Sequence, residues 1–566
     1  MKKLIECVPN FSEGRDMSVI DQITAEIKSV NGVSLLNVDP GYATNRTVVT
    51  FIGEPDDVCE AAFRATKKAK ELIDMRHHHG EHPRIGATDV CPLVPVSGIT
   101  MDETVAYARR LAERVGKELG IPVYCYESAA YTPDRKNLAV VRAGEYEGLS
   151  QKLTVPHTKP DFGPSDFTEE VARSGASIIG ARDFLLAVNF NLNTTSTRRA
   201  NAIAFDVREK GRIKREGNPI TGKKVTDANG HDVYIPGTLK GTKAIGWYIK
   251  EYGIAQVSMN ITDINATPLH TAFEEVCAKA MARGVRVTGT EIVGLVPKRV
   301  LIDAGKYFLN KQHRSDGIAE SEIVKIAIKS LGLEDLCPFE PEEKVIEYLI
   351  ADKRPRLVDM TCEAFAEETA SESPAPGGGS VSAYMGALGS ALGTMVANLS
   401  AHKPGWDDRW DFFTTYAEKG HDIMAELTAL VDEDTDAFNA IMDVFAMPKS
   451  TPEEKAIRAT ALQQATLNAA QVPLKTMRCA YRAFEVLEAM AEHGNPNSIS
   501  DVGVGVLAVR AAIIGAMLNV KINSAGLKDR DTADKLVAEA EELVRKANEY
   551  EAVLLEKIEK TIAGSK

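Results

Sequence analysis

Short apolar runs alternate with longer amphipathic stretches through the first half of the chain, and the short runs all but vanish from the second. Leu4–Val8, Val33–Val38 and Arg46–Ile52 read as strands, and Ser18–Val30 and Pro55–Met75 as helices. The apolar run Val90–Val96 completes a β-α-β-β-α-β series, the ferredoxin-like order. A helix over Asp102–Leu119 and a strand over Pro122–Tyr126 extend it. The order returns after Ala181. Strands are expected at Phe184–Asn191, Lys243–Tyr248, Ala255–Thr262 and Val285–Val296, with helices at Thr195–Glu209, His270–Ala282 and Lys298–Leu309. Identity between the halves is not obvious residue by residue, so the repeat is one of topology. Two sheet-and-helix subdomains imply a cleft between them, a usual place for a ligand. Gly211–Gly241, rich in glycine, lysine and turn residues, reads as a protruding hairpin or loop.

After about Ile350 the pattern turns helical in period and in its Ala, Leu, Glu and Met content. The expected architecture is therefore an α+β part made of two ferredoxin-like subdomains, residues 1–181 and 182–350. A charged linker at 351–359 and an all-α helical bundle at 360–566 follow. Within the bundle, Ser373–His402 carries no Asp, Glu, Lys or Arg. Its length raises the question of a membrane span. Gly386, Gly389, Gly393, several serines and Asn398 favour instead a glycine-faced helix buried in a bundle or at a subunit interface.

The 566 residues exceed one core and fit three or four folding units. Net charge is −13, with about 45 basic and 47 acidic residues up to Ile350 against about 22 and 33 beyond it. The second part holds nearly all the excess negative charge, which disfavours nucleic acid and suits small polar substrates. Eight scattered cysteines without paired spacing, and an N-terminus lacking an apolar leader, lead to a cytoplasmic expectation.

Candidate chemistry gathers at Arg76-His77-His78-His79-Gly80-Glu81-His82-Pro83-Arg84, four of the chain's eleven histidines in six residues. His78, Glu81 and His82 match the H-x-x-E-H pattern of a zinc hydrolase, which needs both histidines one helical turn apart. Gly80 and Pro83 argue against that helix, so one histidine doing acid–base work in a loop is the stronger reading and no metal is expected. In the helical part, Gly377-Gly378-Gly379-Ser380 precedes a helix and offers backbone N–H groups to an anion. The apolar stripe Leu427, Val431, Phe438, Ile441, Phe445 puts Asp434 on the buried face while Glu433 and Asp436 turn outward. A carboxylate so placed is hydrogen-bonded, protonated or functional. Gly503-Val504-Gly505 lacks a preceding strand and reads as helix packing. Asn519 and Asn523 share a helix face and are expected to line a polar pocket with Asp501.

The segments from Cys7 to Gly14, Asp39-Pro40-Gly41 with Asn45-Arg46-Thr47, and Gly80 to Pro92 resemble glutamate formimidoyltransferase. Pro376 to Val381, Leu430-Val431-Asp432 with Ala437-Phe438, and Asn519-Val520 with Ile522-Asn523 resemble formimidoyltetrahydrofolate cyclodeaminase. Together they resemble the bifunctional family of histidine breakdown, over nearly the whole chain. The resemblance implies transfer of a formimidoyl group from N-formimidoyl-L-glutamate to N5 of tetrahydrofolate. Closure onto N10 follows, giving 5,10-methenyltetrahydrofolate and ammonia. It implies His82 as the transferase residue and Asp434 as the cyclodeaminase residue. Asp39, Arg46, Glu81 and Arg84 are expected to support the first site. Gly163, Pro164, Gly377, Gly378, Gly379, Asp501, Asn519 and Asn523 are the expected folate contacts. Tetrahydrofolate, polyglutamylated in the family's preferred form, is the implied co-substrate, and no tightly bound cofactor is expected. The family's assembly, a homo-oligomer built from dimers, is expected, with neither a membrane span nor nucleic acid. Gly211–Gly241 is longer than the family's corresponding segment. Rival readings are a folate-binding protein with one active domain and a zinc hydrolase using His78, Glu81 and His82.

Overall fold

A computed structural model describes residues 3–42, 44–80, 82–218, 221–351 and 354–564. The N-terminal region is mixed α/β and the C-terminal region is mostly helical. Contacts group the chain into two compact units, Met1–Val300 with Leu331–Ala351, and Leu301–Ser330 with Asp352–Lys566.

In the first unit, β1 (Leu4–Cys7) and β2 (Asn10–Phe11) run nearly in line, broken at Val8-Pro9 where proline has no N–H to give the ladder. Helix α1 (Met17–Lys28), strands β3 (Val33–Gly41) and β4 (Arg46–Gly53), helix α2 (Pro55–Leu72) and β5 (Thr88–Ser97) follow. Strands β1 and β2 lie between β4 and β5, and β3 flanks β4, all antiparallel. Helix α3 (Met101–Leu119) leads to β6 (Val123–Glu127), and β7 (Ser177–Ala181) pairs in parallel with both β5 and β6. Period-two alternation divides the sheet faces. Ile5, Cys7, Val49, Phe51, Cys91 and Leu93 enter a core shared with residues of α1, α2 and α3. The opposite face carries Glu6, Asn10, Arg46, Val48, Thr50 and Tyr126 toward a groove.

The second half of the unit contains β8 (Leu186–Leu192), α4 (Thr197–Val207), β9 (Thr242–Ile249), β10 (Ile254–Ile261), α5 (Leu269–Met281) and β11 (Val287–Val293). Its strands lie in the order β9–β10–β8–β11, the order that β3, β4, β1 and β5 take in the first sheet. Element types thus follow the sequence pattern, with ends shifted by a few residues. In Gly211–Gly241, Arg212–Ile213 pairs with Tyr234–Ile235, as a hairpin requires, while Pro219 and Ile220 lie outside the described residues.

The second unit includes α6 (Lys298–Lys311, from Leu301) and α7 (Glu320–Leu331, to Ser330). Its long helices are α8 (Gly378–Ala401), α9 (Trp410–Ala446), α10 (Pro452–His493), α11 (Ile499–Ala525) and α12 (Arg530–Gly564). The uncharged stretch is α8, and its glycines face its neighbours. A Cβ on Gly389 would lie 2.7 Å from a methyl of Val509 and 2.9 Å from the Gly505 carbonyl. Gly505 in turn packs toward Leu487, so the Gly503–Gly505 motif is helix packing. Residues 496–525 are long and apolar enough to cross a membrane by composition, and this helix also contributes Val502, Val506, Val509 and Ile513 to the bundle core.

Candidate active sites

Residues 76–80 and 82–84 of the histidine stretch are irregular and are pinned to the turn before β4. His78 is buried, with Nε2 2.7 Å from the Asn45 carbonyl, and its Nδ1 accepts from Arg84 Nε at 3.3 Å. Burial holds its pKa below the ordinary value. Arg84 also grips Glu147 through two hydrogen bonds of 2.7 and 2.8 Å. Asn45 donates to the His79 carbonyl at 3.0 Å and accepts from Gly14 N at 3.1 Å. Gly80 packs so tightly that a Cβ would sit 2.1 Å from the Thr44 carbonyl oxygen. His78 and Arg84 therefore shape the loop. Both ring nitrogens of His78 are engaged and 78–80 is not helical, which removes the geometry the zinc reading needs.

His82 projects differently. Its Nδ1 lies 2.7 Å from the Pro83 carbonyl, which favours a proton on Nδ1, while Arg46 Nη1, a donor, also contacts Nδ1. Arg46 Nη1 reaches Nε2 at 2.8 Å. The same guanidinium donates to Asn10 Oδ1 at 2.6 and 3.0 Å and lies 3.5 Å from Asp89. Asp89 is fully buried and accepts from Ile85 N at 3.0 Å and from Arg142 at 2.7 Å. One carboxylate thus holds two guanidiniums beside the imidazole. Burial, then the Arg46 charge, keep His82 below the ordinary histidine value of 6.5. Burial also lowers Arg46, to about 10. A base of this kind is neutral and available throughout the neutral range. The acid limb of the first reaction's pH–rate profile is therefore expected below pH 6.5; a limb well above it, in initial-rate assays from pH 5 to 8, would contradict this.

Arg46 and Asn10 open onto a cavity of about 300 Å³ between the two halves of the first unit, also lined by Glu6, Asp39, Tyr126 and Arg182.

In the second unit Asp434 lies mid-way along α9, where α8 begins. Ser380 Oγ donates to Asp434 Oδ2 at 3.1 Å and the Ser380 backbone N–H also bonds the carboxyl. Burial pushes its pKa up and these two bonds pull it back only in part. Gly379 must lack a side chain, since a Cβ would lie 2.2 Å from Asp434 Oδ1, and Gly378 would meet the Asn519 amide at 3.5 Å. Glu433 and Asp436 turn outward to Lys475 and Arg354. Gly379→Ala is expected to displace Asp434 and abolish the chemistry of this unit while the first reaction persists, measured as two separate product assays.

Comparison with known proteins meets this geometry. Family models described as the formiminotransferase domain, N-terminal subdomain, the formiminotransferase domain, and formiminotransferase-cyclodeaminase match residues 4–182, 187–351 and 361–542. The mouse protein named formimidoyltransferase-cyclodeaminase is 40% identical over 561 residues, 99% of each chain. The chain belongs to the formimidoyltransferase-cyclodeaminase family. Shorter relatives cover its parts. The glutamate formimidoyltransferase of Streptococcus pyogenes is 41% identical over 309 residues, 55% of this chain and 94% of that one. The methenyltetrahydrofolate cyclohydrolase of Methylorubrum extorquens is 40% identical over 187 residues, 33% of this chain and 90% of that one.

For this family member, the structure brings some expected site residues together and separates others. His82 and Arg46 meet; Asp39 is exposed on β3 but lines the same cavity as Arg46. Glu81 lies outside the described residues. Arg84 is turned to Glu147 and holds the loop. Gly163, at φ +82, packs against Ile121 and Gly116 of the helix-covered side, and neither it nor Pro164 is among the residues lining the cavity. Gly378, Gly379, Asp434 and Asn519 converge, with Gly377 capping α8. Asn523 is one turn on and donates to the Ala469 carbonyl at 2.7 Å. Asp501 is displaced: it starts the helix that carries Asn519, and eighteen residues at a helical rise put them about 27 Å apart. Phe445, expected on the buried stripe, is 52% exposed. Sequence reasoning missed the roles of Asn10, Asp89, Arg142 and Ser380. Asn10, Asp89 and Ser380 lay inside the quoted motifs; Arg142 sits in an irregular stretch with no periodic signal.

Proposed function

We propose that this chain transfers the formimidoyl group of N-formimidoyl-L-glutamate to N5 of tetrahydrofolate and then cyclises the product to 5,10-methenyltetrahydrofolate with loss of ammonia. The observation that carries the reading is the pair of proton-handling centres, His82 and Asp434, each on its matching family segment. In the first reaction the His82 imidazole, released by Arg46 as substrate enters, takes the N5 proton as N5 bonds the amidine carbon, then returns it to the departing glutamate nitrogen. Arg46, held by Asn10 and Asp89, faces the charge of the adduct or a substrate carboxylate. In the second, the Asp434 carboxylate takes the N10 proton as N10 attacks the same carbon, and passes one to ammonia. The Gly377–Gly379 turn, Asn519 and Asn523 supply polar contacts to folate on that side.

Other features support the finer expectations. Matching strand order in the two sheets favours ferredoxin-like subdomains at 1–181 and 182–350, ahead of a linker at 351–359 and a helical domain at 360–566. The folate chemistry needs no tightly bound cofactor. Exposed Leu388, Met395 and Leu399 on α8, with Val504, Leu507, Leu518 and Ile522 on α11, favour a homo-oligomer built from dimers. Among the described residues the cysteines form no disulfide, which suits the cytoplasm. A second reading of the helical part, hydrolysis of the methenyl ring, rests on the Methylorubrum relative. Incubating the full chain with N-formimidoylglutamate and tetrahydrofolate decides between them. Methenyl absorbance rising with ammonia supports cyclodeamination; absorbance of supplied methenyltetrahydrofolate falling without ammonia supports hydrolysis. Neither signal would overturn both.

A further inference from the structure

The groove carries an ionisable group that the two reactions above leave unused. Glu6 is mid-strand in β1, opposite Ile52 of β4 and Val94 of β5, with Ile5 and Cys7 on either side pointing into the helix-packed core. Its side chain faces the cavity that Asn10 and Arg46 also line, yet the residue is only 5% exposed. Among the described residues its carboxyl makes no hydrogen bond or close ion pair. A carboxyl so buried is costly without donors, and a ligand entering this cavity can supply them. Arg182 lies near enough to favour its charged form and Glu347 to oppose it, while burial dominates and pushes it up to about 7.

Resting on the proposed use of tetrahydrofolate, we infer that Glu6 selects the pterin ring by accepting hydrogen bonds from its N3–H and 2-amino group. Those two N–H donors sit side by side on the pyrimidine edge, the pattern one carboxylate accepts in a bidentate, charge-assisted pair. N5 lies on the other ring of the bicycle, away from that edge. Glu6 and Asn10 are four residues apart on a nearly continuous strand, about 13 Å. His82 does not itself line the cavity and meets its Asn10 end through Arg46. A pterin whose N5 meets His82 therefore runs back along β1 and β2 and offers its amino edge to Glu6. Asp39, exposed on β3, is less suited to that grip because water competes for it.

The test is steady-state transfer by the full chain and its Glu6→Gln variant, with tetrahydrofolate and with its 2-desamino-2-methyl analogue. Glutamine keeps the shape but presents one donor and one acceptor to two donors. Glu6→Gln is expected to raise the KM for tetrahydrofolate roughly thirtyfold, with kcat changing far less. The wild type is expected to disfavour the analogue by a similar factor, and the variant to lose that discrimination. The analogue on wild-type protein reads the contact even if the variant folds poorly. An active variant with unchanged KM, or one that still discriminates, overturns this assignment alone. A wild type without any transfer overturns the underlying reading and this assignment with it.

Discussion

Replacing His82 with alanine is expected to stop glutamate release while leaving cyclisation of supplied 5-formimidoyltetrahydrofolate at the wild-type rate. The loss should be about 10²- to 10⁴-fold, the usual worth of a positioned acid–base group. Its size follows from the local geometry. Burial, then the Arg46 charge, lower the pKa, so the neutral imidazole is a ready base that water replaces poorly. Folding is not expected to suffer, because the loop is held by His78, Arg84 and Asn45. Substituting Arg84 should be the contrast case: Glu147 and the His78 carbonyl lose their partner, and the melting temperature falls along with activity.

The second large effect is Asp434→Asn. It is expected to abolish ammonia release, again by about 10²- to 10⁴-fold, and to let 5-formimidoyltetrahydrofolate accumulate. It should also leave thermal stability at neutral pH unchanged or raised. The carboxyl's folded pKa lies above its ordinary value, so the folded state holds the proton more tightly than the unfolded state. Stability from that proton is present at low pH and is lost as pH rises through the raised pKa, where a charge is forced into a half-buried site. Asparagine never ionises and escapes that loss. Ser380 Oγ and N–H can still bond its amide oxygen. Melting curves at pH 4 and 8 check this: the variant should gain on the wild type only at the higher pH. A variant markedly less stable at pH 8 would contradict the account.

Much of this was legible in the residues because local rules and tertiary structure agree. Alternation in β1, β2 and β4 sorts Glu6, Asn10 and Arg46 onto one face, and the helical stripe through Val431 singles out Asp434. Gly80 and Pro83 predict a loop, and the described residues 78–80 and 82–84 are not helical. The failures share a cause: spacing in sequence says nothing about distances set elsewhere. Asp501 and Asn519 look like partners on one helix, but rise per residue separates them. Arg84 looks like a site residue by adjacency to His82, yet Glu147, from an irregular segment, claims it. Gly163 is used for close packing against Gly116, which no motif reveals. Asp89 was hidden because a buried carboxylate inside an apolar strand is explained by Arg46, Arg142 and the Ile85 N–H, which reach it from outside the strand.

Two chemistries on two separate centres is the central claim, and mixing the two dead variants tests it most directly. Each of His82→Ala and Asp434→Asn alone, given N-formimidoylglutamate and tetrahydrofolate, should yield no methenyl absorbance and no ammonia. Only the Asp434→Asn protein should release glutamate. Combined, they should restore absorbance, ammonia and glutamate together, because the intermediate made by one is consumed by the other. A mixture that stays silent while Asp434→Asn alone still releases glutamate and His82→Ala still cyclises supplied intermediate would show that the intermediate does not pass between chains. Ammonia from Asp434→Asn alone, or glutamate from His82→Ala alone, would contradict the assignment itself.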